Sequence, residues 1–197
     1  MNIIKRSFKE IPQFSERDIA YTTGESKLKD FYKYPVRLDA FQEVLVDKKK
    51  DNTNRQLLQT VLLEQYQSLA TIDKVRENID AFSNDNSFTI VTAHQPSLFT
   101  GPLYYIYKIV SAINLAKSVQ EKYPEYKIVP VFITGGEDHD FEEANHLNLF
   151  GNKLEWQSGE KGSVGAMSTE AIKPVLEELK EILKDSENAE YLFDIMH

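Results

Sequence analysis

The chain has 197 residues, enough to bury a core without disulfides or a structural metal. Its 41% hydrophobic and 27% charged content matches folded soluble domains and excludes disordered, collagen-like and coiled-coil-only chains. The lack of cysteine removes disulfides, thiolate zinc sites, iron–sulfur clusters and a Cys nucleophile, and a net charge of −8 disfavours a chain-wide grip on nucleic acid or anionic lipid.

No apolar run reaches the roughly 18–20 residues of a membrane span. The opening MNIIKRSFKE has no apolar stretch of the secretory kind. The expectation is a cytoplasmic protein with neither nucleic-acid nor membrane partners.

Two regions are expected, 1–86 and 87–197, joined as one continuous domain. In the first 36 residues Pro12, Gly24 and Pro35 interrupt any long element. Phe8, Ile11, Phe14, Tyr21, Phe31, Tyr32 and Tyr34 are too many large apolar groups for a free tail, so an irregular arm packed on a core is expected. From Leu38 the pattern turns helical, with Phe41, Val44 and Leu45 on one face before the charged run Asp47–Asp51. A second helix begins near Asn54, its stripe Leu58, Val61, Leu62, Tyr66 and Leu69. A third runs from Thr71 with Ile72, Val75, Ile79 and Phe82 apolar, and residues 83–87 form a loop.

Phe88–Val91 reads as a strand buried on both faces. A helix follows from Leu103 to Val119, with Pro102 in its first turn. Lys127–Ile133 is a second strand, in which Pro130 marks an end, an edge or a bulge. Strand, helix and strand in this order make a right-handed parallel βαβ unit. His146–Phe150 and Lys153–Gln157 read as a hairpin turning at Gly151-Asn152, and a helix is expected from Thr169 to Lys184 with a last stub from Ala189 to Met196. The fold class is α/β: a partial Rossmann-like parallel core, preceded by the arm and helices and carrying a β-hairpin insertion.

In open parallel sheets, ligands bind beyond the carboxyl ends of the strands. The two most unusual strings of this chain lie there. The first, HQPSLFTGPLYYIYK, puts His94 and Gln95 at a strand exit and Gly101 before a helix whose amides and dipole suit an anion. With one glycine it is neither a Walker loop nor GxGxxG, and a plain cap with packed tyrosines is an equal reading. Lys108 alone reads as a solvated helix lysine.

The second string, GGEDHDFEEANH, holds Glu137, Asp138, Asp140, Glu142, Glu143, His139 and His146. Such crowding favours a cation, whether metal, ammonium or imidazolium. Glu142 and Glu143 read as an acidic helix start, whereas Asp138, His139 and Asp140, beside the Gly-Gly exit, read as functional. No zinc signature is present, and no metal site is assigned. Ser168 reads as a helix cap and Trp156 as packing.

The strings IVTAHQPSLFTGPLYYIYKIVSAINLAK and VPVFITGGEDHDFEEANH, with FSERDIAYTTGESKLKDFYKYP and VGAMS, resemble the bacillithiol-biosynthesis cysteine-adding enzyme family. The resemblance implies a Rossmann-type core related to class I aminoacyl-tRNA synthetases. It also implies a ligase that joins cysteine to the amine of glucosaminyl-malate through ATP; the acidic loop would give Mg²⁺ the one or two carboxylates it needs beside phosphate and water. Carried over, Asp138, His139 and Asp140 would be catalytic. His94, Gln95, Thr100, Gly101, Pro102, Tyr105, Glu137 and Asn145 would bind substrate or nucleotide. Family members are longer, so the chain is read as their N-terminal part, expected to ligate poorly by itself, and the full-length protein is allowed a homodimer. Two rival readings stay open: a metal-dependent hydrolase or phosphotransferase using the EDHDFEE loop, and a non-catalytic binding domain.

Overall fold

The computed structural model describes residues 3–69, 73–184 and 186–196. The chain divides into two compact units, one of Met1–Phe88 with Lys117–Val129, the other of Thr89–Ala116 with Pro130–His197. Two strands and one long helix pass through both.

The first unit opens with short pieces: a 3₁₀ turn Phe8–Glu10, helix α1 (Glu16–Thr22) and a 3₁₀ stretch Ser26–Phe31. A capping box starts α1, the Ser15 side chain accepting from the Asp18 amide while Asp18 accepts from the Ser15 amide. Of the arm, Ala20 is buried, while Phe8, Phe14, Tyr21 and Phe31 keep much of their surface exposed. Helix α2 (Phe41–Lys48) follows a 3₁₀ turn at Leu38–Ala40 and buries Leu45. Asp47, opening the charged run, accepts hydrogen bonds from Lys33 and, at 2.7 and 2.8 Å, from the Tyr34 hydroxyl and Lys50, tying the arm to α2.

Asn54 caps α3 (Arg55–Gln65), accepting from the Leu57 amide. Of its expected stripe, Leu58 and Val61 are exposed and Leu62 is half-buried, while Tyr66 and Leu69 lie beyond the last residue of the helix and are exposed. A 3.6-residue spacing selects a face and does not supply a partner for it. The expected start of the third helix lies outside the described residues; α4 (Asp73–Ala81) buries Ile79, and Phe82 follows it into the core.

Strand β1 (Ser87–His94) and strand β2 (Lys127–Thr134) form a two-stranded sheet joined through α5 (Leu103–Lys122). The Lys127 amide donates to the Asn86 carbonyl and the Gly135 amide to the His94 carbonyl, each at 2.9 Å. The two bonds share one sequence offset, so the strands run parallel. Both elements extend further than expected, β1 to His94 and α5 to Lys122. Pro130 sits within β2, a place the ladder tolerates on an edge strand. Gln120 of α5 closes the turn into β2, its amide donating to the Tyr126 carbonyl and accepting from the Ile128 amide.

The second unit holds an apolar cluster. Leu98, Ala144, Leu154, Trp156, Val164, Met167, Val175 and Leu179 are its buried members. Helix α6 (Phe141–Ala144) leads into strands β3 (His146–Leu149) and β4 (Asn152–Glu155), an antiparallel hairpin closed by the pair Leu149–Asn152. The turn therefore occupies Phe150-Gly151, one residue earlier than expected. Both residues have positive φ, 49° and 84°, the type I′ geometry that matches strand twist. The expected helix from Thr169 starts as a 3₁₀ turn, Glu170–Ile172, before α7 (Lys173–Leu183). Pro174 in the first turn of α7 cannot donate to an earlier carbonyl. Val175 and Leu179, one turn apart, put the apolar face of α7 into the cluster, each worth about 1.5–3 kcal/mol of burial. Helix α8 (Ala189–Met196) completes the unit.

Candidate active site

The parallel strands bring the two unusual strings together at their carboxyl ends. His94 is the last residue of β1, and its carbonyl receives the amide of Gly135 just beyond β2. Around it forms a connected polar group. The His94 ring bonds through Nδ1 to the Gln95 carbonyl at 3.0 Å and through Nε2 to the Tyr104 hydroxyl at 2.8 Å. Tyr104 lies 3.3 Å from Oε1 of Glu143, and Gln95 donates from Nε2 to Glu143 Oε2 at 2.9 Å. The Tyr105 ring makes tilted contacts with His94 and with Phe132, at centroid distances of 5.2 and 5.3 Å.

Electrostatics follow from this placement. The Tyr104 phenol is pushed above its ordinary value, first by desolvation and then by the charge and hydrogen bond of Glu143. Burial raises the Tyr105 phenol too. Gln95 is buried, and its Oε1 is enclosed without a partner among the described residues. Exchanging its oxygen and nitrogen would set an oxygen against the Glu143 carboxylate, so the orientation is determined by charge.

The loop between β1 and α5 is strained. Phe99, Thr100 and Gly101 have φ of 47°, 70° and 58° in succession. Only glycine visits that region freely, and each other residue there costs of order 1–3 kcal/mol. The Thr100 and Gly101 amides are used inside the turn, bonding to the Ser97 and Leu98 carbonyls. Pro102 follows, exposed, just before α5. Lys108 is not a free solvated lysine: its Nζ donates to the Ala93 carbonyl at 2.9 Å and lies 5.8 Å from the Tyr104 ring centroid.

The acidic loop is held by its own backbone. Asp138 Oδ1 accepts from the Asp140 amide, and Asp140 caps α6 by accepting from the Glu143 amide. The Val164 amide donates to the Asp138 carbonyl at 2.7 Å and the Gly165 amide to the Gly136 carbonyl at 2.9 Å. The VGAMS string is thus a backbone clamp on the strand exit. Glu137 and His139 are exposed at the loop surface. Asn145 is buried at a joint, its carbonyl accepting from the Trp156 amide and its side chain meeting His146 Nδ1 at 3.0 Å. Ser168 is not the expected helix cap: the cap position of the 3₁₀ turn is Thr169, and Ser168, one residue earlier, accepts from the Glu170 amide in a local turn, while Trp156 packs edge-on against Phe141. Among the described residues, no three His, Asp or Glu side chains converge to hold a metal ion.

Of the residues singled out beforehand, His94, Gln95 and Tyr105 meet in this group, while Asp138, His139, Asp140, Glu137 and Asn145 lie on the neighbouring loop. Tyr104 and Glu143 were missed. Glu143 stands three residues after a cap, where acidic residues are common for the helix dipole alone, so its tertiary contact left no trace in the string.

The family described as "Bacillithiol biosynthesis BshC, N-terminal Rossmann-like domain" matches residues 2–197. The chain belongs to that family. It is 40% identical over 189 residues to "Putative cysteine ligase BshC" of Flavobacterium psychrophilum and 41% identical over 192 residues to the protein of the same name from Christiangramia forsetii. Each alignment covers 94% of this chain and 36% of the relative. The protein of that name from Bacillus thuringiensis is 36% identical over 133 residues, 68% of this chain and 24% of the relative. This BshC-type domain therefore spans about a third of the length of the Flavobacterium and Christiangramia relatives. Among its described residues no helix is long and apolar enough to cross a membrane.

Proposed function

We propose that this domain supplies the strand-end half of an active site that joins cysteine to the amine of glucosaminyl-malate by an amide bond, in the cytoplasm. The observation that carries the reading is the His94–Tyr104–Glu143–Gln95 group at the carboxyl ends of two parallel strands. It stands in a family whose relatives are named as cysteine ligases.

Amide formation from a carboxylate needs that carboxylate activated, and bound ATP would supply the activation. The amides of Leu103 and Tyr104 open α5 without intrahelical acceptors and suit a phosphate, with the helix dipole behind them. Thr100 and Gly101 contribute to the shape of that corner and not their amides, which the turn consumes. Mg²⁺ takes one or two carboxylates beside phosphate oxygens, and the exposed Glu137 and Asp138 are the carboxylates on this loop that fit such a role. His94 and Glu143 handle the proton of the attacking amine, and His139 and Asp140 border the place where it arrives.

The test is product formation from cysteine, glucosaminyl-malate and ATP, followed by mass spectrometry. A full-length protein carrying this domain is expected to form the amide, and His94→Ala to slow it by about 10²-fold or more. The 197-residue chain by itself is expected to form none. An inert full-length protein would sink the ligase reading. Equal turnover by the isolated chain would show that the remaining length is dispensable.

A further inference from the structure

The polar group around His94 holds fewer hydrogens than its contacts require. The Gln95 carbonyl only accepts, so the hydrogen between it and His94 belongs to Nδ1. Neutral His94 then offers a bare Nε2 to the Tyr104 hydroxyl at 2.8 Å. Yet the same hydroxyl lies 3.3 Å from Glu143 Oε1, a second acceptor, and it has one hydrogen for two partners.

One added proton resolves the conflict, in either of two ways. With Glu143 protonated, it donates to the Tyr104 oxygen and Tyr104 donates to His94 Nε2. With His94 protonated, Nε2 donates to the Tyr104 oxygen and Tyr104 donates to an ionised Glu143. The heavy atoms are the same in both.

We infer that Tyr104 is a proton-passing residue between Glu143 and His94, a positioning role for the amide-forming step that nothing above assigns to it. When an amine attacks an activated carboxyl, its nitrogen loses one proton. Glu143 Oε1 takes that proton and passes it to the Tyr104 oxygen. Tyr104 releases its own hydrogen to His94 Nε2, and the imidazolium later returns it to solvent. No bond other than O–H and N–H is made or broken by the relay, and the phenol ends as it began.

The surroundings suit the task. Gln95 pins the other Glu143 oxygen at 2.9 Å, and the His94 ring is tied at both nitrogens, to the Gln95 carbonyl and the Tyr104 hydroxyl. Lys108 is tied to the Ala93 carbonyl at 2.9 Å, with its Nζ 5.8 Å from the Tyr104 ring centroid. Tyr104 and Glu143 keep exposed surface, so a substrate amine can reach the outer end.

The use of the relay in amide formation rests on the ligase reading; the shared hydrogen does not, and the test separates them. In the 197-residue chain, the ¹³Cζ signal of Tyr104 followed against pH should show the phenol ionising at lower pH in Glu143→Gln than in the parent. An unmoved titration overturns the contact whatever the activity. In the full-length protein, Tyr104→Phe and Glu143→Gln should each lower kcat by about 10²-fold, with KM changed little. The double variant should be no slower than the worse single one. Losses that multiply would overturn the single relay, as would a Tyr104→Phe protein with parental kcat. If Tyr104→Phe melts early, Glu143→Gln with its Glu143→Asp counterpart decides, partial recovery of kcat by Asp supporting the relay and none overturning it. A full-length parent that makes no amide fails the ligase reading alone.

Discussion

Gly165 meets Gly136 backbone to backbone. A β-carbon built on Gly165 would stand 2.7 Å from the Gly136 α-carbon and 2.8 Å from its carbonyl oxygen. Neither neighbour is the end of a flexible side chain, so the strand-exit loop itself would have to move. Gly165→Ala is expected to destabilise the domain by about 1–3 kcal/mol, read as a lower melting temperature. A melting temperature equal to the parent's would show that the clamp is slack. At the same scale, His94 and Gln95 were legible because they directly follow a strand pattern. Glu143 and Tyr104 were not: the Gln95–Glu143 bond joins residues 48 apart, and no local periodicity reports such a pair.

Hairpin β3–β4 shows how one element can be predicted in kind and misplaced in register. Gly151 drew the turn to itself, but the I′ geometry needs two residues of positive φ, and Phe150 is the other. Phe150 is 80% exposed, so its ring gains little to offset the left-handed backbone. Phe150→Asn is expected to raise stability by a few tenths to about 1 kcal/mol, measured by urea unfolding, because asparagine tolerates that region. Destabilisation instead would mean the ring makes a contact that outweighs the turn. Helix α3 carries the complementary lesson. Its stripe and its cap were both readable, yet Leu58 and Val61 stay exposed, since amphipathicity is a property of one helix and burial is a property of two.

For the whole molecule the arm and α2 are joined through charge. Lys33 first, then Lys50 and the Tyr34 hydroxyl, hold the Asp47 carboxyl well below the ordinary carboxylate range. A carboxyl harder to protonate when folded than unfolded contributes stability above the unfolded value of about 4, and loses it as pH falls further. Asp47→Asn is therefore expected to melt below the parent at pH 7, with the gap closing as pH drops toward 2. A gap that persists in acid would assign the effect to packing. The βαβ order, the strand-end position of both unusual loops and the helix caps were written locally, in alternation, 3.6-residue spacing and turn chemistry, and so the sequence alone determined them. Tertiary structure decided which of five crowded carboxylates meets Gln95, which of two adjacent tyrosines joins it to the His94 ring, and which apolar faces find a partner. Those choices depend on groups brought close only by the parallel pairing of β1 and β2 and by the clamp at Gly165, distances that no stretch of sequence contains.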